Sequence, residues 1–397
     1  DKDNFNATES GNLTLICMTL NVNPSPAQLE NTILISGYLN YTNSSMTTGA
    51  GVNVFVDGTL QAGLGNGSDG ALTVTAAETI INNYTHLTGN ETSGNTSIAV
   101  GDSSEFAAND EVLIIQMQNA SGGNFGVYEF ARISSVEATR VNFTKPLNNS
   151  YYSGRFNTTY STVSQIVKVP QYTNVTIDDG ATITAKLWDR WSGGIVVFKA
   201  TDGVNITGSV DAEGKGFRGG EARQAGAGNG TAGESYYGLG IATADPNEAG
   251  GGGGAGRDAC SQNCGAGGGG GYGTAGTVGI GSGNLQPGDP GANYNIPNLD
   301  SLIFGSAGGG GGSGWSGSGC ANHRGGHGGG IVFISAQEIL VSGNLTVAGK
   351  FYGTGWHGGC CDCAASGSGA GGTVYLRSSV MDFSNGIVNA SGGNGVN

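Results

Sequence analysis

Residues 328–349 read GGGIVFISAQEILVSGNLTVAG, and two relatives of that phrase, SGGIVVFKATDGVNITGSVDAEG and GAGGTVYLRSSVMDFSNGIVNASGG, stand at 192–214 and 369–393. Aligned on the glycine pair before the first apolar run, the three copies share an alternation at Ile195 and Val197, Ile331 and Phe333, and Thr373 and Tyr375. A glycine follows 13 or 14 residues after the pair, at Gly208, Gly343 and Gly386, and a second run ends in alanine and glycine near Gly214, Gly349 and Gly392. Period-two alternation of β-branched and aromatic residues predicts strands, so each copy reads strand, turn, strand. Such a unit cannot bury its apolar face alone and must stack on its neighbours; about 22 residues is the size of one coil of a parallel β-helix or solenoid.

The rest of the 397 residues is unusual in composition. Glycine supplies 78 positions, charged residues only 12%, and the formal net charge is -14. A phosphate backbone calls for clustered cations; 16 Lys and Arg spread along the chain give no such stripe, which argues against a nucleic-acid partner. No run of 18 apolar residues is present, so insertion in a bilayer as a helix is not expected.

Seventeen Asn-x-Ser/Thr sequons occur among 36 asparagines: Asn6, Asn12, Asn40, Asn43, Asn66, Asn83, Asn90, Asn95, Asn119, Asn142, Asn148, Asn157, Asn174, Asn205, Asn229, Asn344 and Asn389. Chance would give about six for this Ser and Thr content, so the excess predicts an extracellular or cell-surface, N-glycosylated chain. The cysteines agree. Cys260, Cys264, Cys320, Cys360, Cys361 and Cys363 fall in glycine-rich loops and read as three disulfide staples whose pairing the sequence does not choose. Cys17, within LTLICMTL, reads either as a buried small hydrophobe or as an intermolecular disulfide.

Residues 1–12 form a polar N-terminal extension. Residues 13–66 read as a small β-sandwich of immunoglobulin-like size, with Asp57-Gly58 as a hairpin signal. It is short of the strands a full sandwich needs, and an incomplete sandwich can receive a strand from another chain; the extension is the candidate donor. Residues 67–164 predict a β-rich, barrel-like domain with Val112–Met117 as a central strand and Tyr128–Ile133 and Val141–Phe143 in a meander with it. The solenoid is expected over 165–397, beginning with QIVKVPQYTNVTIDDGATITA and interrupted by a glycine-rich insertion at 215–327.

That insertion lacks a strict G-x-y period, which excludes collagen, and lacks the phosphate-cradling spacing of nucleotide sites. Ordering it requires glycine segments stacked on one another or pinned by disulfides. Asp178 and Asp179 are adjacent, so on a strand they would point to opposite faces. They fit turn capping or a structural calcium better than paired acid and base chemistry. Of the histidines, His323, His327 and His357 lie near Cys320 and Cys360–Cys363, material for zinc that an oxidising compartment would divert into disulfides. Trp188, Trp191, Trp315 and Trp356 could stack on sugar rings or simply pack. No nucleophile elbow is present. No catalytic, cofactor-binding or metal residue is therefore assigned.

The runs GSDGALTVTAA (67–77), AANDEVLIIQMQN (107–119), YEFARISSV (128–136), VPQYTNVTIDDGATITA (169–185), GGIVVFKATDGVNITGSVDAEGKGFRGG (193–220) and HGGGIVFISAQEILVSGNLTVAGK (327–350) together resemble a widespread group of glycine-rich microbial, archaeal and bacterial, surface proteins. The resemblance implies a secreted adhesion or matrix protein with a parallel β-helical core. ISGYLNYTNSSMTTGAGVNVFVDGTL (35–60) resembles the immunoglobulin-like modules of prokaryotic surface proteins but lacks a convincing final strand. The expectation is thus an all-β chain: an incomplete immunoglobulin-like sandwich, a β-rich middle and a right-handed parallel β-helix with glycine-rich insertions. Its expected role is as a non-enzymatic subunit of an extracellular filament or matrix, joined to other copies of itself by donor-strand-like exchange. The alternatives are a monomeric adhesin binding polysaccharide and, third, a polysaccharide lyase or hydrolase.

Overall fold

Every copy of the repeat becomes one coil of three short strands, and the coils stack in parallel register. The computed structural model describes residues 33–38, 51–56, 64–121, 123–156, 161–221, 230–240, 251–252, 266–279, 287–294, 300–311, 324–352 and 366–393. In the N-terminal segment the described elements are an antiparallel pair, β1 (Ile33–Tyr38) and β2 (Gly51–Val56). The remainder of the expected sandwich, with Asp57-Gly58, residues 1–12 and Cys17, lies outside the described residues.

Coil one is β3 (Leu72–Val74) and β4 (Thr79–Ile80). An antiparallel insertion follows: β5 (Tyr84–His86), β6 (Ser97–Ala99), β7 (Glu111–Asn119), β8 (Tyr128–Glu137), β9 (Arg140–Phe143), β10 (Arg155–Phe156) and β11 (Ser161–Val169). Coil two is β12 (Gln171–Tyr172), β13 (Val175–Ile177) and β14 (Thr182–Thr184); coil three is β15 (Ile195–Ala200), β16 (Gly203–Ile206) and β17 (Ser209–Asp211). Coil four is β18 (Ile331–Ser335), β19 (Glu338–Val341) and β20 (Asn344–Thr346); coil five is β21 (Thr373–Arg377), β22 (Val380–Asp382) and β23 (Ile387–Asn389). The three parallel sheets run β12-β15-β18-β21, β3-β13-β16-β19-β22 and β4-β14-β17-β20-β23.

This differs from the expectation that the solenoid starts at residue 165. Residues 165–169 belong to β11 of the antiparallel sheet, whereas Leu72–Val74 pairs in register with Val175–Ile177, so the first coil precedes the insertion. The Asp178-Asp179-Gly180 turn stands where expected, with Ala181 N–H donating to Asp178 O (2.9 Å) and Gly180 at φ 76°.

Position in the coil explains the repeated residues. Val196, Phe198, Val204, Ile206 and Val210 of coil three, and Val332, Ile334, Ile339, Val341 and Leu345 of coil four, fill the solenoid interior. The conspicuous Ile195, Val197, Ile331 and Phe333 point the other way, into a second core outside the first sheet. Strands covered on both faces read as continuous apolar runs, and all six residues of β15 are buried.

The cover arrives at one corner. The antiparallel insertion, the loop 185–194, the glycine-rich insertion and the segment after β20 all leave from a strand of the third sheet and return to a strand of the first. Alternate residues of β7 serve two cores: Leu113, Ile115 and Met117 face the solenoid's outer sheet, and Val112 and Ile114 face a third core with Leu87, Ile98, Ile133, Val141 and Tyr151. The sheet curls around that third core, helped by irregularities at Val163/Ser164 and Ile133/Ser135, since bulges bend a strand. The expected β7, β8, β9 meander is present.

The glycine-rich insertion orders by stacking. Along residues 305–310, donors rotate among three neighbouring segments. Gly305 and Gly308 donate to Gly329 and Gly326; Ala307 and Gly310 donate to Glu234 and Thr231; Gly309 donates to Gly268, and Ser306 Oγ donates to Gly271. The carbonyls of Ser306, Ala307, Gly308 and Gly309 accept from Ala370, Gly252, Gly220 and Gly367. Each neighbour recurs every third residue, the period of a polyproline II helix, which has no internal hydrogen bonds and turns its backbone groups outward. A Cβ on Gly308 would overlap the carbonyl of Gly367, and one on Gly325 the carbonyl of Gly308. Close approach of backbones, rather than a left-handed φ, is what requires glycine here.

Among the described residues no helix is long and apolar enough to cross a membrane.

Candidate functional site

Where the loop 185–194 meets both ends of the glycine-rich insertion, the corner holds a cavity of about 330 Å³ lined by Leu187, Trp188, Asp189, Arg218, Gly219, Glu221, Arg324 and His327. The loop is built to hold its shape. Asp189 Oδ1 accepts from the backbone N–H of Trp191 and Ser192, both at 2.9 Å, and Oδ2 accepts from Lys186 Nζ at 2.6 Å. Burial pushes the Asp189 carboxyl up, but these donors outweigh it and hold the group below the usual carboxylate range. Between them Arg190 adopts φ 83°, a left-handed conformation that costs a non-glycine residue about 1–2 kcal/mol. Its Nε donates to Glu234 Oε1 at 2.8 Å, and this bond offsets the strain.

Glu234 is 3% exposed. Its Oε2 accepts from the Arg218 backbone N–H at 3.0 Å, while the Arg218 Nε lies 3.7 Å from Oε1. Burial pushes its carboxyl up and the two guanidiniums oppose that. Arg324 Nε sits 2.9 Å from Glu221 Oε2. The rear wall is apolar: Trp188, fully buried, meets Phe217 and Phe304 edge-on at centroid distances of 6.3 and 5.5 Å. Two buried atoms of these residues, Trp188 Nε1 and His327 Nδ1, have no hydrogen-bond partner among the described residues and are closed off from the cavity space. Burial pushes His327 down to about 4, against a bond to the Gly214 backbone, so at neutral pH its ring is uncharged and Nδ1 is an acceptor. On the same loop Leu187 is 44% and Trp191 37% exposed, with the Trp191 ring 4.8 Å from that of His86.

The flagged tryptophans thus divide: Trp188 packs, Trp191 is presented to solvent, and Trp315 and Trp356 lie outside the described residues. So do His323, His357, Cys260, Cys264, Cys320, Cys360, Cys361 and Cys363. Among the described residues no group of three His, Cys, Asp or Glu side chains comes together as a metal site.

Of the sequons, Asn6, Asn12, Asn40, Asn43, Asn157 and Asn229 are outside the described residues, while Asn66, Asn90, Asn148, Asn174, Asn205 and Asn344 are exposed. Asn83, Asn95, Asn142 and Asn389 are half-buried. Asn119 departs from the expectation of a glycan: it is buried, and its Nδ2 donates to Gly123 O, so the folded chain leaves no room for a sugar there.

Arg190, Arg218, Glu221, Glu234 and Arg324 are not apparent as a site in the sequence, because only the stacking of insertions at one corner joins them. The available signal is that charges, rare in this chain, flank both ends of the glycine-rich insertion.

No protein-family model matches the chain, and no curated protein matches it. Solved structures with partial likeness include the Gp54 tailspike of Acinetobacter baumannii bacteriophage AP22 in complex with A. baumannii capsular saccharide. It is 15% identical over 36% of this chain and 26% of that one, with a TM-score of 0.20. The tailspike gp49 from Pseudomonas phage LKA1 is 16% identical over 36% and 33%, TM-score 0.17. The Pseudomonas phage phi297 tailspike gp61 is 12% identical over 37% and 24%, TM-score 0.18. The matched region spans a third or less of each tailspike, and these TM-scores describe limited overlap rather than a shared overall fold.

Proposed function

We propose that the chain is an extracellular polysaccharide-binding protein, an adhesin in type, and that the corner cavity is its sugar site. The observation that carries this is the cavity itself, which sets the exposed Leu187 beside the polar side chains of Asp189, Arg218, Glu221 and Arg324. Leu187, exposed on the cavity wall, supplies apolar surface on which a sugar ring packs, and small-ligand sites begin at about 300 Å³. The reading is of binding without catalysis. Asp189, held ionised by Lys186 and the loop amides, serves as a fixed acceptor on the wall. The exposed sequons support an outward-facing, glycosylated surface.

The test is a glycan array followed by calorimetry on the intact protein. Binding that falls roughly tenfold in Leu187→Ala is the expected result; no binding to any glycan overturns the proposal.

A second reading, a filament or matrix subunit, is favoured by the open ends of the solenoid. In coil five the edges of β22 and β23 pair with no described strand, with Val380 50% and Ile387 51% exposed, and in coil one Ile80 is 55% exposed. Unpaired edges of this kind accept strands. Deleting residues 1–12 and comparing particle mass by light scattering tests strand donation: assembly lost on deletion supports it, and an intact chain that stays monomeric rules it out.

A further inference from the structure

Resting on the sugar-site reading, we infer that the ligand of the corner cavity is an acidic saccharide, its carboxylate taken by Arg218. Three guanidiniums, Arg190, Arg218 and Arg324, gather at two carboxylates, Glu234 and Glu221, while the corner's third carboxylate, Asp189, is held by Lys186. Glu234 is already committed: one oxygen accepts from Arg190 Nε at 2.8 Å and the other from the Arg218 backbone N–H at 3.0 Å. At 3.7 Å the Arg218 Nε is beyond hydrogen-bond distance of that carboxylate. Arg218 therefore lines the cavity with its planar fork unspent among the described residues, in a chain whose net charge is -14. A fork of this kind matches a carboxylate in two parallel hydrogen bonds. A carboxylate carried on a sugar ring is the mark of a uronic acid.

The probes are oligogalacturonate and oligoglucuronate, each beside its methyl ester, which keeps the sugar backbone and removes the charge; neutral glucans and mannans complete the panel. Calorimetry on the full chain should show the acid binding roughly 10- to 100-fold tighter than its ester, with the preference shrinking as salt rises. Arg218→Gln should abolish the preference, and Arg218→Lys, which keeps the charge without the fork, should restore part of it; both variants are checked for an unchanged unfolding midpoint. Acid and ester binding equally, or neutral glycans binding while both acids fail, overturns the inference and leaves the sugar-site reading standing. If nothing in the panel or on the array binds, the reading itself fails and the inference with it.

Discussion

The solenoid and the glycine bundle pack against each other yet are held together by opposite means. Inside the coils, side chains such as Val196, Phe198, Val332 and Leu345 exclude water from a continuous apolar core. In the bundle, the segment 305–310 is joined to its neighbours through backbone N–H and C=O groups, with the Ser306 hydroxyl the one side-chain donor named above. One region loses stability when methyl groups are removed, the other when one is added. Hydrogen bonds that are individually modest become the organising contacts once every neighbouring backbone comes close enough to pair.

Mutations at matched depth sharpen this contrast. The largest effect is expected from Phe198→Ala, which empties the solenoid centre and should cost about 3–5 kcal/mol in urea denaturation. Gly308→Ala, nominally a gain of helix and core propensity, should cost about 3 kcal/mol because its Cβ would overlap the Gly367 carbonyl; a neutral Gly308→Ala would break the comparison. At the seam of the two regions, His327 titrates at about 4 folded against 6.5 unfolded. The unfolded chain binds that proton first, so stability present above pH 6.5 is lost as pH falls toward 4 and the loss then levels off. By linkage it amounts to roughly 3 kcal/mol, and His327→Gln should remove that part of the slope between pH 7 and pH 4. The smallest effect is expected at Gly70, whose φ is 70° but whose added Cβ would meet nothing. There alanine should cost only about 1 kcal/mol, the price of a left-handed residue.

The same contrast governs what the sequence discloses. Coils three to five were legible because Val, Ile and Phe repeat against fixed glycines: Gly343 stacks on the carbonyls of Thr207 and Gly208, and Gly386 on Val341. The Asp178-Asp179-Gly180 turn and the β7 strand were legible for similar reasons. Coil one was missed because ALTVTAAETI contributes two short strands with no glycine pair and is separated from coil two by the whole antiparallel insertion. The bundle's three-residue rhythm was illegible, since a run of glycine carries no side-chain pattern to read. The site divides along the same line: Trp188, Trp191 and His327 stood out as residue types, but Arg218 and Glu234 acquire meaning only from backbone stacking.

Native-state hydrogen exchange resolved to single amides tests the backbone core most directly. The amides of Gly305, Gly308, Gly309 and Gly310 should exchange as slowly as those of Val332 and Ile334 in the solenoid, because each is bonded inside a packed lattice. Exchange of those glycine amides at the rate of an open chain, while Val332 and Ile334 stay protected, would contradict a bundle held by backbone pairing.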